Sequence, residues 1–447
     1  YGKYNFRNLD FSDAKRCGVS THYSEVTVKN CQFERNEYYG LQSYYNKSFE
    51  IEDSRINENG SYGLLLYHGK YYGLVDEKWD WYPTTTIATI RNTPIENSKS
   101  YGLYIENCTE DSVSVVNSPI RGNGSAGLYA VRSKFEFSPR TLGDKWQLSD
   151  NGSHIYAAWG TYVFKDLNLT GAPSYGAATW GSDVTVSNCS FSGNGSYGFQ
   201  SHYNNPCLIE NSQFDNNRWA GITFRNEYTD GQGVQHAGPI EMRNCSISGN
   251  HVGIYLPNSR TDMNPIKIVN TPIRDNTGWG VYFNSSQVAL NPSSYPMSWQ
   301  LEGNANNFLI YHGETRIDNV KITASKGWGA YVVYSDAVVK NSSFSGNGNG
   351  LYLHANAQSV VENCDFDDNA SWGLWVRPYY GYDSTNSDGT VKRIEYTGPV
   401  TLTNISSQRN GYAGLGMYDY TVDRDLVELK NVTLADNKGP GIHFYYL

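Results

Sequence analysis

One short pattern, repeated along the whole chain, restricts the fold more than any other feature. It appears as VTVKNCQFERNEYYGL (26–41), VTVSNCSFSGNGSYGF (184–199), IEMRNCSISGNHVGI (240–254) and VVENCDFDDNASWGL (360–374), with weaker copies between. Apolar residues alternate up to an Asn, as they do in a strand: Val184 and Val186 point one way, Thr185 and Ser187 the other. At Asn188 the alternation breaks, and Cys189 and Phe191 resume the inward set, so the chain has turned a corner. Asn tolerates the left-handed conformation that such a corner needs. A Gly/Asn-rich turn follows, then a third short strand at Gly198-Phe199-Gln200-Ser201. Copies recur every ~22–38 residues, the period range of solenoids. Each copy therefore reads as one coil of three strands and three turns, stacked about 4.8 Å from the next. Val184, Val186, Cys189, Phe191 and Phe199 are expected inside.

Two Asn recur six residues apart, from Asn30/Asn36 through Asn188/Asn194 to Asn431/Asn437. Stacked coils place them in two ladders whose amides bond along the stack and satisfy the corner backbone. With these Asn corners the chain resembles the right-handed parallel β-helix proteins related to pectin and pectate lyases, over essentially its whole length. The alternation makes the fold all-β, the resemblance implies a single right-handed parallel β-helix, and the repeats count to about 17 coils. A longer periodicity lies above the coil. KWQLSDNGSHIYAAWG (145–160) matches SWQLEGNANNFLIYHG (298–313), an offset of 299 − 146 = 153 at the Trp, and Cys31 and Cys189 mark a third copy. The chain is expected to be one continuous solenoid, 1–447, of three tandem units of roughly 155 residues: 1–134, 135–287 and 288–447. Inserts fall at one position of each unit, 67–86, 225–239 and 377–399.

Composition excludes several functions. A net charge of -9 without a Lys/Arg run argues against nucleic acid or an anionic membrane as partner. No run of about 18 apolar residues is present to span a membrane as a helix. Gly193-Asn-Gly195-Ser-Tyr-Gly198 matches G-x-G-x-x-G, but a strand follows where a dinucleotide site needs a helix. The seven Cys form no C-x-x-C pair, so they read as buried small hydrophobes rather than zinc ligands. The chain starts at Tyr1, as a mature or excised fragment would, and the ends are expected to lack a capping helix. Uncapped coils stopping in phase suggest head-to-tail or lateral association of the chain with itself.

Catalytic sets are sparse. The resembled enzymes carry Asp clusters for calcium or proton transfer and Arg or Lys on an outer face. Asp365, Asp367 and Asp368 form the best acidic cluster, a weak metal candidate that the other units do not repeat. Asp76, Glu77, Lys78 and Asp80, or Glu227, Asp230 and His236, are the residues on the inserts able to build one active site. No cofactor is expected, and the chain reads as non-enzymatic. Aromatic residues are the stronger signal. Tyr104, Tyr129, Tyr255, Tyr282, Tyr331, Tyr352 and Trp375 occupy the outward position after the motif Gly and are expected to form a stripe, either a self-stacked ladder that stiffens the rod or a surface for another chain or a glycan. N-x-S/T sequons are dense. Asn46, Asn107, Asn168 and Asn284 rank first as glycosylation candidates; Asn59, Asn123, Asn151, Asn194 and Asn369 come next. Asn188, Asn244, Asn341, Asn404 and Asn431, in the first ladder, are expected to be inaccessible. The resulting expectation is an extracellular or cell-surface structural solenoid, a glycosylated filament. The alternatives are a polysaccharide lyase or hydrolase and a carbohydrate-binding adhesin. Convergent acidic and basic groups in one copy would favour the enzyme.

Overall fold

A computed structural model describes residues 2–68, 71–75, 78–82, 87–108, 113–138, 148–229, 235–259, 266–290, 299–354, 358–377, 379–385, 391–397, 399–419 and 427–446. Among these there is no α-helix. The backbone contacts group into two compact units, Tyr1–Arg218 and Trp219–Leu447.

One coil shows the construction. Glu25–Lys29 forms a first face, Gln32–Glu34 a second and Tyr39–Tyr44 a third. Each strand pairs in parallel with its counterpart one coil on: Val26 with Phe49, Phe33 with Ile56, Leu41 with Leu64. In the first unit the third face holds Cys17–His22, Tyr39–Tyr44, Leu64–Tyr67, Tyr101–Glu106, Ala126–Val131, Ser153–Ala158, Tyr175–Trp180 and Tyr197–His202. In the second unit Ala220–Arg225 and Val252–Pro257 precede three strands that run on through a corner, Trp279–Leu290, Asn306–Asp318 and Trp328–Lys340. Asn349–His354, Leu374–Arg377, Leu415–Asp419 and Ile442–Tyr446 follow. Alternation decides what is inside: Val184, Val186, Cys189, Phe191 and Phe199 are all at most 3% exposed. Apolar side chains from three faces meet in the coil centre, and their removal from water drives the stacking.

The two ladders differ in a way that reverses the expectation. First-corner Asn adopt the left-handed conformation, φ 52° at Asn188 and 49° at Asn341. Their side chains lie outside, and Asn188, Asn244, Asn341, Asn404 and Asn431 are all exposed. They bond along the surface, as Asn404 does by donating from Nδ2 to Asn363 at 2.8 Å. Second-corner Asn point inward. Asn123 is 1% exposed; its Oδ1 accepts from the Ser98 amide at 3.0 Å, and its Nδ2 donates to Asn151 Oδ1 at 2.9 Å. The same bond joins Asn194 to Asn217, Asn276 to Asn304 and Asn369 to Asn410. The left-handed residue at this corner is the one before the Asn, which accounts for Gly193 at φ 66°. A Cβ on Gly195 would stand 1.9 Å from the Pro173 carbonyl. The glycines of the apparent nucleotide motif thus serve the corner.

Cysteine proves interchangeable with Ser and Thr. Cys31, Cys189, Cys245 and Cys364 each donate Sγ–H to the carbonyl two residues back, at 3.2–3.3 Å. Ser54, Thr93 and Ser212 make the same contact with Oγ. The next coil's hydroxyl accepts the corner amide: Cys189 N donates to Ser212 Oγ at 3.1 Å. The thiols therefore belong to a hydrogen-bonded column rather than acting only as small hydrophobes, and none of the seven forms a disulfide.

All three inserts leave the third face, and all contain an antiparallel hairpin: Tyr71–Val75 with Lys78–Tyr82, Glu227–Thr229 with Gln235–Ala237, and Tyr379–Thr385 with Val391–Thr397.

Candidate functional site

The outer surface of the third face carries the chemistry. In the first unit, strand register puts Leu65, Tyr104, Tyr129 and Tyr156 in one column. Tyr62 packs on Tyr104 at 5.1 Å and 6°, Tyr104 on Tyr129 at 5.1 Å and 14°, and Tyr129 on Tyr156 at 4.8 Å and 6°. Each ring covers its neighbour's face, so the stack shows edges and hydroxyls to the outside. In the second unit Tyr255 lies 5.2 Å from Tyr282, Tyr331 stacks on Tyr352 at 4.5 Å, and Trp375 lies 5.8 Å from Tyr352. Leu309 separates the two runs. The stripe read from the sequence thus exists as self-stacked segments.

Two residues beyond Tyr104 on the same strand stands Glu106, 8% exposed. Tyr104 donates its hydroxyl to Glu106 Oε2 at 3.0 Å. Arg132, from the next coil, pairs with Glu106 Oε1. The Arg132 side chain is 56% exposed, so the ion pair opens to solvent through its guanidinium. Burial and then the Glu106 carboxylate raise the Tyr104 phenol well above its ordinary pKa. Burial pushes Tyr129 up to about 12. Tyr45, beside Tyr67 at 5.0 Å, is raised mainly by burial and by its bond to Tyr67. The hydrogen bond and charge of Glu106 raise Arg132 in turn.

The backbone here is strained. Tyr45 and Arg132 sit at the third corner with φ 51° and 46°. Holding a large side chain in the left-handed region costs roughly 1–2 kcal/mol per residue. At the positions of Glu106 and Arg132 the other copies carry Pro257 and Ser285, and Tyr418 and Tyr446, so the carboxylate–guanidinium pair belongs to one copy only. Protonated phenols, a carboxylate and a half-exposed guanidinium can exchange a proton with a bound molecule and steady negative charge developing on it. Neither Glu106 nor Arg132 was among the sequence candidates. Alignment on the motif Gly was the available signal: it sets Arg132 one coil on from Glu106, just past the strand end.

A second polar cluster lies on the third face of the second unit. Tyr331 Oη is 3.4 Å from His354 Nδ1, and Arg377 lies 4.9 Å over the Tyr418 ring. Burial, and then the charge of Arg377, push His354 down to about 4.

The other sequence candidates fare differently. Asp367 and Asp368 are bound by Arg409: its Nε is 2.8 Å from Asp368 Oδ1, and a second nitrogen is 3.3 Å from Asp367 Oδ2. Asp365 stands aside with its pKa raised by burial. The guanidinium occupies the position a cation would take, and among the described residues no three His, Cys, Asp or Glu gather for a metal. On the inserts Glu227 is half-buried. Asp76, Glu77 and Asp230, and the side chains of Lys78, Asp80 and His236, lie outside the described residues. Asn46, Asn59, Asn123, Asn151, Asn194 and Asn369, ranked as glycosylation candidates, are 0–2% exposed and bonded into the interior. Asn168 is exposed, whereas Asn107 and Asn284 are half-buried.

Comparison with known proteins agrees with the architecture. No curated protein matches the chain. Among solved structures, the A-module of mannuronan C-5 epimerase AlgE4 from Azotobacter vinelandii shows 11% identity and a TM-score of 0.25 over 90% of this chain and 91% of that one. A mutant of the PL6 family alginate lyase AlyGC shows 9% identity, a TM-score of 0.25, and 99% and 95% coverage. The family 28 exopolygalacturonase of Yersinia enterocolitica shows 8% identity, a TM-score of 0.21, and 98% and 73% coverage. The expectation of a non-enzymatic chain is therefore corrected: the similar structures are carbohydrate-active enzymes, and a fold that enzymes share gives no ground for it. The model of the right-handed beta helix region matches residues 1–142, 151–294 and 299–398. This chain belongs to the right-handed β-helix family.

Proposed function

We propose that the protein is carbohydrate-active, holding an extended saccharide chain across the third face of the first unit and acting on it at Glu106 and Arg132. One observation carries this reading: a carboxylate, a guanidinium and a phenol converge in one of three copies, on a surface lined with tyrosine edges. A copy-specific cluster is what a site needs and what a purely structural repeat does not. Stacked phenols present hydroxyls at the spacing of the coils, about 4.8 Å, and an extended chain of six-membered sugar rings advances by a similar step. Arg132 anchors the ligand, Tyr104 orients the Glu106 carboxyl, and Glu106 exchanges the proton. Such a substrate places the protein outside the cytoplasm.

The test is a panel of soluble neutral and acidic polysaccharides, with binding and product formation measured for the wild type, Glu106→Gln and Arg132→Gln. Glu106→Gln keeps binding and loses turnover; Arg132→Gln weakens both. A panel in which neither substitution changes binding or turnover refutes the reading.

A further inference from the structure

The fold sorts the N-x-S/T sequons into two classes. Those of the first corner and Asn168 are exposed and Asn107 and Asn284 are half-buried, whereas the other six are sealed. Asn46, Asn59, Asn123, Asn151, Asn194 and Asn369 are at most 2% exposed. The Nδ2 of each already donates inside the fold. Asn123 Nδ2 donates to Asn151 Oδ1 and to the Ile95 carbonyl; Asn194 Nδ2 donates to Asn217 Oδ1 and to the Leu169 carbonyl. Asn46 Nδ2 serves Thr21 Oγ1 and Ser43 Oγ, both at 2.8 Å. Glycosylation forms a bond from Nδ2 to the anomeric carbon of a sugar delivered on a lipid pyrophosphate. The sugar–phosphate bond breaks, the pyrophosphate leaves, and the amide gives up one proton. That proton is one the ladder uses, and the sugar has no volume to enter.

The transferase that recognises this sequon meets the chain as it crosses a membrane, extended and unfolded, when later burial protects nothing. Each of the six sequons would then be open, and a glycan on any of them blocks its coil from closing. We propose that this chain matures on a route without sequon-directed glycosyl transfer to the unfolded polypeptide, and that its sequons are consequences of the Asn corner rather than attachment sites.

The experiment produces the chain in two ways: in a bacterial cytosol, and behind a signal sequence in cells whose secretory pathway N-glycosylates. Glycan positions are read by mass spectrometry and folding by resistance to protease. The cytosolic product should fold. The secretory product should carry glycan at several of the six Asn and fail to accumulate folded. A variant with Ser48, Ser61, Ser125, Ser153, Ser196 and Ser371 each changed to Ala removes the six sequons and keeps every ladder Asn. It should recover folded secretory protein, and made in the cytosol it should still fold, melting somewhat lower because Ser153 is buried and bonded to Tyr175. Folded wild-type protein from the secretory cells, whether glycosylated at the six Asn or skipped by the transferase, overturns the proposal. So does a variant that folds in the cytosol yet gains nothing in the secretory cells.

Discussion

Asn123→Ala tests whether the inner ladder is a structural necessity. The amide of Asn123 accepts from the Ser98 N–H at 3.0 Å and donates to the Ile95 carbonyl at 3.3 Å, at a site 1% exposed. Truncation leaves both backbone groups short of a partner where water cannot replace it. A buried group left unsatisfied costs about 1–3 kcal/mol, so the pair should cost roughly 3 kcal/mol in all. For a unit of 218 residues, Tyr1–Arg218, each kcal/mol lowers Tm by about 2–4 °C, which predicts a fall of roughly 6–12 °C. The matched control is Asn117→Gly. Asn117 is exposed, and Gly accepts its φ of 52° without strain; its loss should cost less than about 0.5 kcal/mol. Denaturant unfolding followed by circular dichroism measures both, and hydrogen exchange at the Ser98 amide shows whether the damage is local. Equal costs for the two substitutions, or a loss below about 0.5 kcal/mol at Asn123, would refute the distinction between the ladders.

Other outcomes follow from the same geometry. Cys189→Ser should stay within about 1 kcal/mol of wild type because Ser212 and Ser342 make the same contact, whereas Cys189→Ala should cost more by removing the group the Leu167 amide donates to; chemical denaturation ranks the two. His154, fully buried with Nε2 2.9 Å from the Thr170 carbonyl, has its pKa lowered by burial. Its contribution to stability is complete above about pH 6.5 and falls as pH drops below that value, by at most about 1.4 kcal/mol per pH unit. His154→Asn should flatten that slope, since Asn307 makes the equivalent bond to the Thr323 carbonyl at 2.8 Å; unfolding measured from pH 5 to 8 decides it. Chelator should leave Tm unchanged, as Arg409 holds Asp367 and Asp368, and Arg409→Gln should lower it only slightly.

Much of the architecture was legible because solenoid coils repeat one local solution. Alternation around Asn188 placed Val184, Val186, Cys189 and Phe191 correctly, and Asn was the right residue for a left-handed corner. Which Asn turns inward was not legible. Both rows have the same composition, and their side-chain direction depends on which residue takes the positive φ: Asn188 itself at the first corner, but Gly193, before Asn194, at the second. The cluster of Glu106 and Arg132 was not legible for a related reason. Glu106 and Arg132 lie 26 residues apart and meet only across adjacent coils, so no spacing motif joins them. The stripe was legible from the tyrosine positions, with self-stacking as one of its readings; the coil register decided that the rings cover one another.

The claim most in need of direct measurement is that a saccharide lies on the third face of the first unit. Hydrogen–deuterium exchange, with and without the polysaccharide that binds most tightly, reads the position of the ligand along the chain. Protection should rise in Tyr101–Glu106 and Ala126–Val131 and at Arg132, with little change in Val252–Pro257, and should vanish in Arg132→Gln. Protection confined to the second unit, or an unchanged footprint in Arg132→Gln, would contradict the account.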